Sequence, residues 1–392
     1  MISRRIVIIG GGVIGSSIAF HLLSSDSTLD VIVIERDPSY TRASSRLAMG
    51  GIRQQFSSRV NIQLAQYGVN FYRDFDERFG HLHESQASFH QRGYLFLVNA
   101  VRAEYFKKRL DRQQQLGASV DRLEVDQIQR LLPDVVLDDI EFGVFGPQDG
   151  YVNPSAILNG LRCAAAEVGT QYLTTEVTNI TMNSGQSSTV SLKSGNQIST
   201  GTVVIAAGAY SAALGQMIGV EVPVEPVKQQ LFRCALPQRW PYRFPVVVDP
   251  TGVHWRHEDP AGPHAPDNLI VACTKTNEPP GEDFSCDFTR WESEFREPMV
   301  RRVPTLENVR LINGWAGLYE MTNDHNPVIG EHPDLSGLFL ATGFSGHGLM
   351  MAPGAGRSVS ELILTGQSSI DISAFDVTRF KHGELFWDDA MI

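Results

Sequence analysis

An α/β fold built from two interleaved parts is what the sequence predicts, and three observations predict it. Ile6 to Ile9 is a short, continuous apolar run, the mark of a buried parallel strand, and it feeds a G-x-G-x-x-G at Gly10, Gly12 and Gly15. A second buried run, Thr202 to Tyr210 (TVVIAAGAY), passes Gly208, and a third, Leu338 to Thr342 (LFLAT), enters the loop GFSGHG. Between them, Val222 to Trp255 alternates and is rich in Val, Phe and Pro, which reads as antiparallel sheet. One α/β unit is thus assembled from residues 1–87, 149–215 and 322–392. A mainly antiparallel unit occupies residues 88–148 and 216–321.

The first unit opens with its most informative stretch. After the glycines comes an apolar helical segment, Ile14 to Leu23, and then a second strand, Val31 to Ile34, ending on Glu35. Strand, glycine turn, helix, strand and acid form the dinucleotide-binding fingerprint. Gly10 permits the tight turn, Gly12 lets a pyrophosphate approach the backbone, and Gly15 lets helix and strand pack closely. The helix start, at Val13 and Ile14, presents free N–H groups to the phosphates. Glu35 suits a ribose hydroxyl and repels a 2′-phosphate, so NADP is disfavoured.

The segment after Glu35 mixes Ala43, Ser44, Ser45, Gly50 and Gly51 with Arg42, Arg46 and Arg53, as suits a loop beside phosphates or a ring system. A solvated loop is the plain alternative. Val60 to Phe75 has helical spacing, Gly93 to Val98 is a strand, and Arg102 to Gly117 and Leu123 to Leu132 read as surface helices of the second unit. Asn153 and Pro154 start a helix that runs to Val168. A strand from Tyr172 to Thr175 and a hydrophilic hairpin follow. Leu269 to Cys273 and Leu311 to Tyr319 are strands, Glu292 to Val300 is a helix, and a last helix spans about Ala352 to Leu364.

Composition narrows the class. The chain has 392 residues, 42% hydrophobic and 20% charged, which is ordinary for a globular protein long enough for two domains. A formal net charge of −11 argues against a nucleic-acid partner or a polybasic anchor. Cys163, Cys234, Cys273 and Cys286 are scattered with no C-x-x-C, which fits a reducing compartment and no structural zinc. No metal cluster and no Ser-His-Asp arrangement stands out. With no leader-like segment and no run of about 20 apolar residues, the expectation is a cytoplasmic protein without a transmembrane segment.

Four stretches together carry a family resemblance. They are the glycine motif through Glu35, VVIAAGAYS at Val203 to Ser211, GLYEMTNDHNPVIG at Gly317 to Gly330, and ATGFSGHGLMMAPGAG at Ala341 to Gly356. Over essentially its full length the chain resembles the FAD-dependent D-amino-acid oxidase, glycine oxidase and sarcosine oxidase superfamily. Within it, ASSRLAMGGIRQQFSSRVNIQLA looks like the FAD-dependent oxidoreductase domain-containing, sarcosine-dehydrogenase-like group.

The resemblance implies a Rossmann-type FAD-binding domain with an interleaved, mainly antiparallel substrate domain. It implies that Gly10, Gly12, Gly15, Glu35 and Arg36 hold the AMP half of FAD, with Val177 by the adenine and Ala207 and Gly208 near the pyrophosphate. Ser44, Ser45 and Arg46 flank the flavin ring, with Gly50 and Gly51 beside it. Gly343, Phe344, Ser345, Gly346, His347, Gly348 and Leu349 bring a helix start to the flavin pyrimidine, where hydride transfer develops negative charge. Gly317 stands where relatives carry a flavin-linking cysteine, and no histidine lies in Ser44 to Ile52, so non-covalent FAD is implied.

The implied reaction is oxidation of the C–N bond of a small amine or amino acid by hydride transfer, giving an imine that hydrolyses. Arg53 matches an arginine that grips substrate carboxylate, and Tyr319 a tyrosine of the substrate pocket. His347 reads as part of the loop rather than a base; His254 and His257 are borne on the sheet, where they either face the pocket or, the stronger reading, lie at the surface. The lysine that activates oxygen in sarcosine oxidases is replaced by Ile270, leaving Lys275 or Lys228 to move into the role, and a second carboxylate-binding lysine is replaced by Met350. Slow reaction with oxygen, and faster reaction with an acceptor dye or a quinone, follow from that, and the acceptor stays open among oxygen, a quinone and an electron-transfer protein. Rival readings are a 2-hydroxy acid dehydrogenase, a flavin-bearing assembly protein without turnover, and an NAD-dependent dehydrogenase, which the later motifs disfavour.

Overall fold

The computed structural model of the chain describes residues 4–82, 86–183, 187–236, 238–258, 267–274 and 278–388. Its centre is a six-stranded sheet in the order Val328–Glu331, Leu338–Thr342, Thr202–Ile205, Arg5–Ile9, Asp30–Glu35, Gln171–Thr174. Every neighbouring pair is parallel except the edge pair of Val328–Glu331 with Leu338–Thr342. The apolar runs sit where burial on both faces demands them: Val7, Ile8, Val33, Val203, Val204 and Ile205 are all fully buried. The order reverses beside Arg5–Ile9, and at such a switch point an open α/β sheet leaves a crevice beyond the carboxyl ends of its strands.

Helices Val13–Ser25, Arg59–Arg73, Pro154–Glu167 and Gly348–Thr365 contribute to one hydrophobic core with the sheet. The last begins at Gly348, four residues before the expected start, because Pro353 lies inside it rather than opening it. Pro353 has no N–H for the Leu349 carbonyl. The Tyr72 hydroxyl donates to that carbonyl at 2.7 Å and closes the gap from a neighbouring helix. The two helices touch at Gly68, where an added Cβ would lie 2.0 Å from the Met350 carbonyl oxygen.

The second sheet has eight strands in the order Arg310–Met321, Glu225–Ala235, Asn268–Cys273, Val253–Glu258, Val246–Val248, Tyr94–Asn99, Ile140–Gly146, Asp121–Leu123. It is antiparallel throughout but for the pairing of Val246–Val248 with Tyr94–Asn99. One face packs on a core containing Phe232, Val253, Trp255, Trp291 and Phe295. Helix Ala103–Gln115 is less superficial than expected: it buries Phe106, Arg109, Leu110 and Gln113. His254 and His257, expected at the surface, are both buried, at 8% and 0% exposure. Their sheet is covered on both faces, so neither parity of the strand reaches solvent. Lys275 and part of the turn after His257 lie outside the described residues.

Among the described residues no helix is long and apolar enough to cross a membrane, and no group of three His, Cys, Asp or Glu side chains could hold a metal ion.

Candidate active site

A cavity opens at the carboxyl ends of the central strands, at the switch point. Gly10, Gly12, Val13, Ile14, Glu35 and Arg36 line it, together with Ser44, Ser45, Val177, Ala207 and Gly208. Gly10 has φ +107, and a Cβ there would lie 2.3 Å from the Ala206 carbonyl, so only glycine fits. Gly15 lines nothing: its Cα faces the Gly10 carbonyl, the close packing foreseen for it. Glu35 Oε2 accepts from the Gly11 N–H at 2.8 Å and Oε1 from the Asp37 N–H at 2.9 Å. The carboxylate is thus fixed against the cavity with lone pairs left for a hydroxyl. Arg36 stacks on the Tyr210 ring, 3.7 Å from its centroid.

This cavity fits the dinucleotide half of FAD. Helix Val13–Ser25 starts on Gly12, which supplies no capping side chain, so its first N–H groups face the space. Gly12 leaves open the volume that a side chain would fill. The Ser45 hydroxyl accepts from the Val13 N–H at 3.3 Å, and Ser44 donates to the Leu318 carbonyl at 2.6 Å. Arg46 does not join them. It is exposed, with its guanidinium on the Ser39 carbonyl at 2.5 Å, because the short helix Ser44–Leu47 turns that position outward.

A second cavity shares the walls Ser44 and Leu318 with the first, so the two form one trough. Gly50, Gly51, Gly317, Ser345, Gly346, His347 and Leu349 line it, together with Arg53 and Tyr319. Gly343 and Gly348 belong to the same turn without lining it, and Phe344 points the other way, fully buried in the core. A Cβ on Gly317 would lie 3.0 Å from that of Leu47, so a linking cysteine would be crowded. No side chain caps helix Gly348–Thr365, whose start faces this space.

Arg53 is the most enclosed charge in the cavity wall, at 1% exposure. One amino group donates to the Gln55 carbonyl at 2.7 Å, and the other lies 3.3 Å from His347 Nε2. Its plane lies over Phe56, 4.4 Å from the ring centroid. Burial, then the charge of Arg53, drives His347 down to about 3, so the imidazole is neutral and accepts from the guanidinium. His347 therefore holds Arg53 in place. Arg109 donates to the same Gln55 carbonyl at 2.7 Å, and burial lowers it to about 10. Asp149 steadies the loop beneath, accepting from Gln54 and Gln55 side-chain amides at 3.2 Å.

Sequence reasoning missed Tyr94, Thr274 and Glu320, and it weighed His254 for the pocket but favoured the surface. Tyr94, on its strand, lines the cavity beside Arg53, and burial pushes its hydroxyl up to about 12. His254 faces the same space. Thr274 extends the wall beyond Ala272. Glu320, one residue past the expected end of its strand at Tyr319, is 8% exposed and lines the first cavity. Its Oε2 accepts from Thr342 Oγ1 at 2.9 Å and the Gly343 N–H at 3.1 Å, and burial pushes the carboxyl up to about 7. Only strand parity could have flagged Tyr94, and the same parity separates His254 from His257. Ile270 is 1% exposed and packs with Leu231 and Ala272. Lys228 is held by Asp283 at 2.6 Å and Glu278 at 3.4 Å.

Similarity to known proteins agrees with this geometry. The family model described as FAD dependent oxidoreductase matches residues 5–362. FAD-dependent oxidoreductase domain-containing protein 1 of Bos taurus is 32% identical, across 97% of this chain and 85% of that protein. The mitochondrial dimethylglycine dehydrogenase of Mus musculus is 27% identical, across 95% of this chain but 44% of its own length. Among solved structures, L-proline dehydrogenase from P. horikoshii superposes with a TM-score of 0.87 at 28% identity, covering 98% of this chain and all of the other.

Proposed function

Given that the chain belongs to the family of FAD dependent oxidoreductases, we propose that it oxidises the C–N bond of a small amine bearing a carboxylate. FAD, held by the residues of the first cavity, would supply the hydride acceptor for the carbon next to nitrogen, and the imine left behind would be hydrolysed by water. The observation that carries this reading is the Arg53 guanidinium, buried in the wall of the second cavity and oriented by Gln55 and His347. A buried cation with fixed geometry favours an anion that can take two parallel hydrogen bonds, and a carboxylate does so. Arg109, on the same carbonyl, adds positive potential.

The remaining residues follow from that anchor. Gripping the carboxylate fixes the adjacent carbon relative to the trough wall at Gly50 and Gly51, which is an effective-concentration gain. Tyr94, Tyr319, Leu231 and Met350 enclose the rest of the substrate, and their apolar surface favours a side chain larger than a hydrogen. The uncapped start of helix Gly348–Thr365 stabilises negative charge developing beside it. We place the FAD contacts on the residues of the first cavity and take the cofactor to be non-covalent. With Ile270 in an apolar cluster and Lys228 in ion pairs, no described lysine lies at the reacting end, which supports a quinone or electron-transfer protein over oxygen as acceptor.

A 2-hydroxy acid also offers a carboxylate for Arg53. The test is anaerobic titration of the purified protein with amines, amino acids and 2-hydroxy acids, watching flavin absorbance. Bleaching by an amino carboxylate, faster reoxidation by a quinone than by air, and full release of flavin into acid supernatant are expected. Bleaching by hydroxy acids alone would replace the reading, and bound FAD with no bleaching would make the chain a flavin-bearing assembly protein.

A further inference from the structure

His254 sits on strand Val253–Glu258 and lines the cavity that contains Arg53 and Tyr319. Its Nδ1 lies 3.1 Å from the Gly252 carbonyl. A carbonyl only accepts, so Nδ1 carries the ring hydrogen and Nε2 carries a lone pair. Among the described residues no partner is recorded for Nε2. Burial, with the nearby Arg53 charge, lowers the imidazole to about 4, so it stays neutral over the working range. The cavity thus has two polar poles, a cation that grips an anion and a neutral acceptor with nothing yet to accept from.

We propose that His254 Nε2 accepts a hydrogen bond from an N–H of the substrate's reacting nitrogen, making the enzyme selective for primary and secondary α-amino carboxylates over N,N-dialkyl ones. The inference rests on the amino-carboxylate reading of the site. Oxidation draws on the nitrogen lone pair, so the reacting amine is neutral. A neutral primary or secondary amine keeps an N–H for His254 while its lone pair stays available. A neutral tertiary amine has none, and it would leave a buried acceptor facing an alkyl group. Sites built around such a bond discriminate strongly against ligands that lack the hydrogen. The imidazole is too weakly basic to keep the proton of an ammonium, so an ammonium substrate loses that proton to water before the carbon–hydrogen bond breaks.

The experiment uses the FAD-loaded full chain and three matched sets, each with its N-methyl and N,N-dimethyl members: alanine, leucine and phenylalanine. Anaerobic flavin reduction by the best set should favour the N-methyl over the N,N-dimethyl member at least about tenfold in wild type. His254→Phe should shrink that ratio to less than about threefold, the loss falling on the N-methyl member. His254→Gln, which keeps an acceptor oxygen, should restore part of the preference. The dissociation constant of propionate, read from flavin absorbance, should stay the same in all three proteins, because propionate engages Arg53 and has no nitrogen. A ratio unchanged by His254→Phe, or a wild type that prefers the tertiary amine, overturns the proposal while leaving the amino-carboxylate site standing. Reduction by lactate and the 2-hydroxy acid counterparts of leucine and phenylalanine, run alongside, with none of the three amino-acid sets reducing the flavin, overturns both.

Discussion

The two halves of the trough are built differently. The dinucleotide half is made of backbone: Gly10 and Gly12 on one turn, Ala207 and Gly208 on another, and a helix start between strands. The reacting half is made of side chains: Arg53, Tyr94, His254 and Tyr319 come from four segments far apart in the chain. A backbone site depends on local geometry that a few glycines specify, and it tolerates little. A side-chain site depends on the register of a sheet, and each member can be exchanged while the fold stays. Cofactor binding should therefore fail abruptly with single glycine changes, whereas catalysis should fail in graded steps.

The sharpest test sets two glycines of the first turn against each other. Gly10→Ala places a methyl group 2.3 Å from the Ala206 carbonyl at a φ of +107. It should lower the Tm and abolish FAD binding together. Gly12 has φ −64, which any residue adopts, and its nearest obstacle is Ser45 Oγ at 3.3 Å. Gly12→Val should fold with the apo-protein's Tm nearly unchanged yet weaken FAD by at least about 100-fold, because it fills the space the pyrophosphate needs. Calorimetry with FAD-fluorescence titration separates the two. Equal loss of Tm in both would mean that the turn is not a ligand cradle.

In the side-chain half the effect should be smaller and confined to turnover. Arg53→Met should keep FAD bound but lower kcat/KM for the carboxylate substrate by roughly 100-fold, the scale of about 3 kcal/mol for a charge-assisted pair. Arg53→Lys should recover part of it, since a point charge cannot make the two-pronged bond. Wild-type turnover in Arg53→Met would make Arg53 a structural residue of the Gln55 loop.

The same contrast explains what could be read in advance. The first two parallel strands, the glycine turn, Glu35 and the helix opened by Asn153 are local codes, and the structure places them within a residue or two of the expectation, whereas the strand expected over Thr202 to Tyr210 ends at Ile205 and gives way to a 3-10 turn at Gly208–Tyr210. His254 and His257 show where local codes stop. They lie three apart on one strand and therefore face opposite sides. Residues 253, 255 and 257 turn to the core around Trp255 and Phe244, while 254 turns to the cavity. Alternation announces two faces, but not which one closes a cavity. Arg46 failed for a related reason: one helical turn at Ser44–Leu47 sends it outward while its neighbours point in. Glu320 was hidden because strand Arg310–Met321 runs two residues beyond its last apolar alternation, so an acid that reads as loop is buried.

Glu320 is where the backbone half contains a side chain of its own, and its effect should be the smallest and the most dependent on pH. The carboxyl borders the cavity near Gly208, where the proposed FAD placement puts the pyrophosphate. Burial raises it from the ordinary glutamate range to about 7. A raised acid binds its proton more tightly in the folded protein than in the unfolded chain. Its contribution to stability is thus complete below the unfolded value near 4.5, and it is lost as pH rises through about 7. A diphosphate beside it adds negative charge, which favours the protonated form further. FAD affinity should therefore fall by several-fold between pH 6 and pH 8, on the order of one proton's linkage. Glu320→Gln, neutral at every pH, keeps an acceptor for Thr342 and Gly343 and should flatten that profile. It should hold FAD at pH 8 at least as tightly as wild type. A Glu320→Gln profile that still slopes like the wild type would assign the titration to another group, with Asp149, which burial also raises to about 7, the next to mutate.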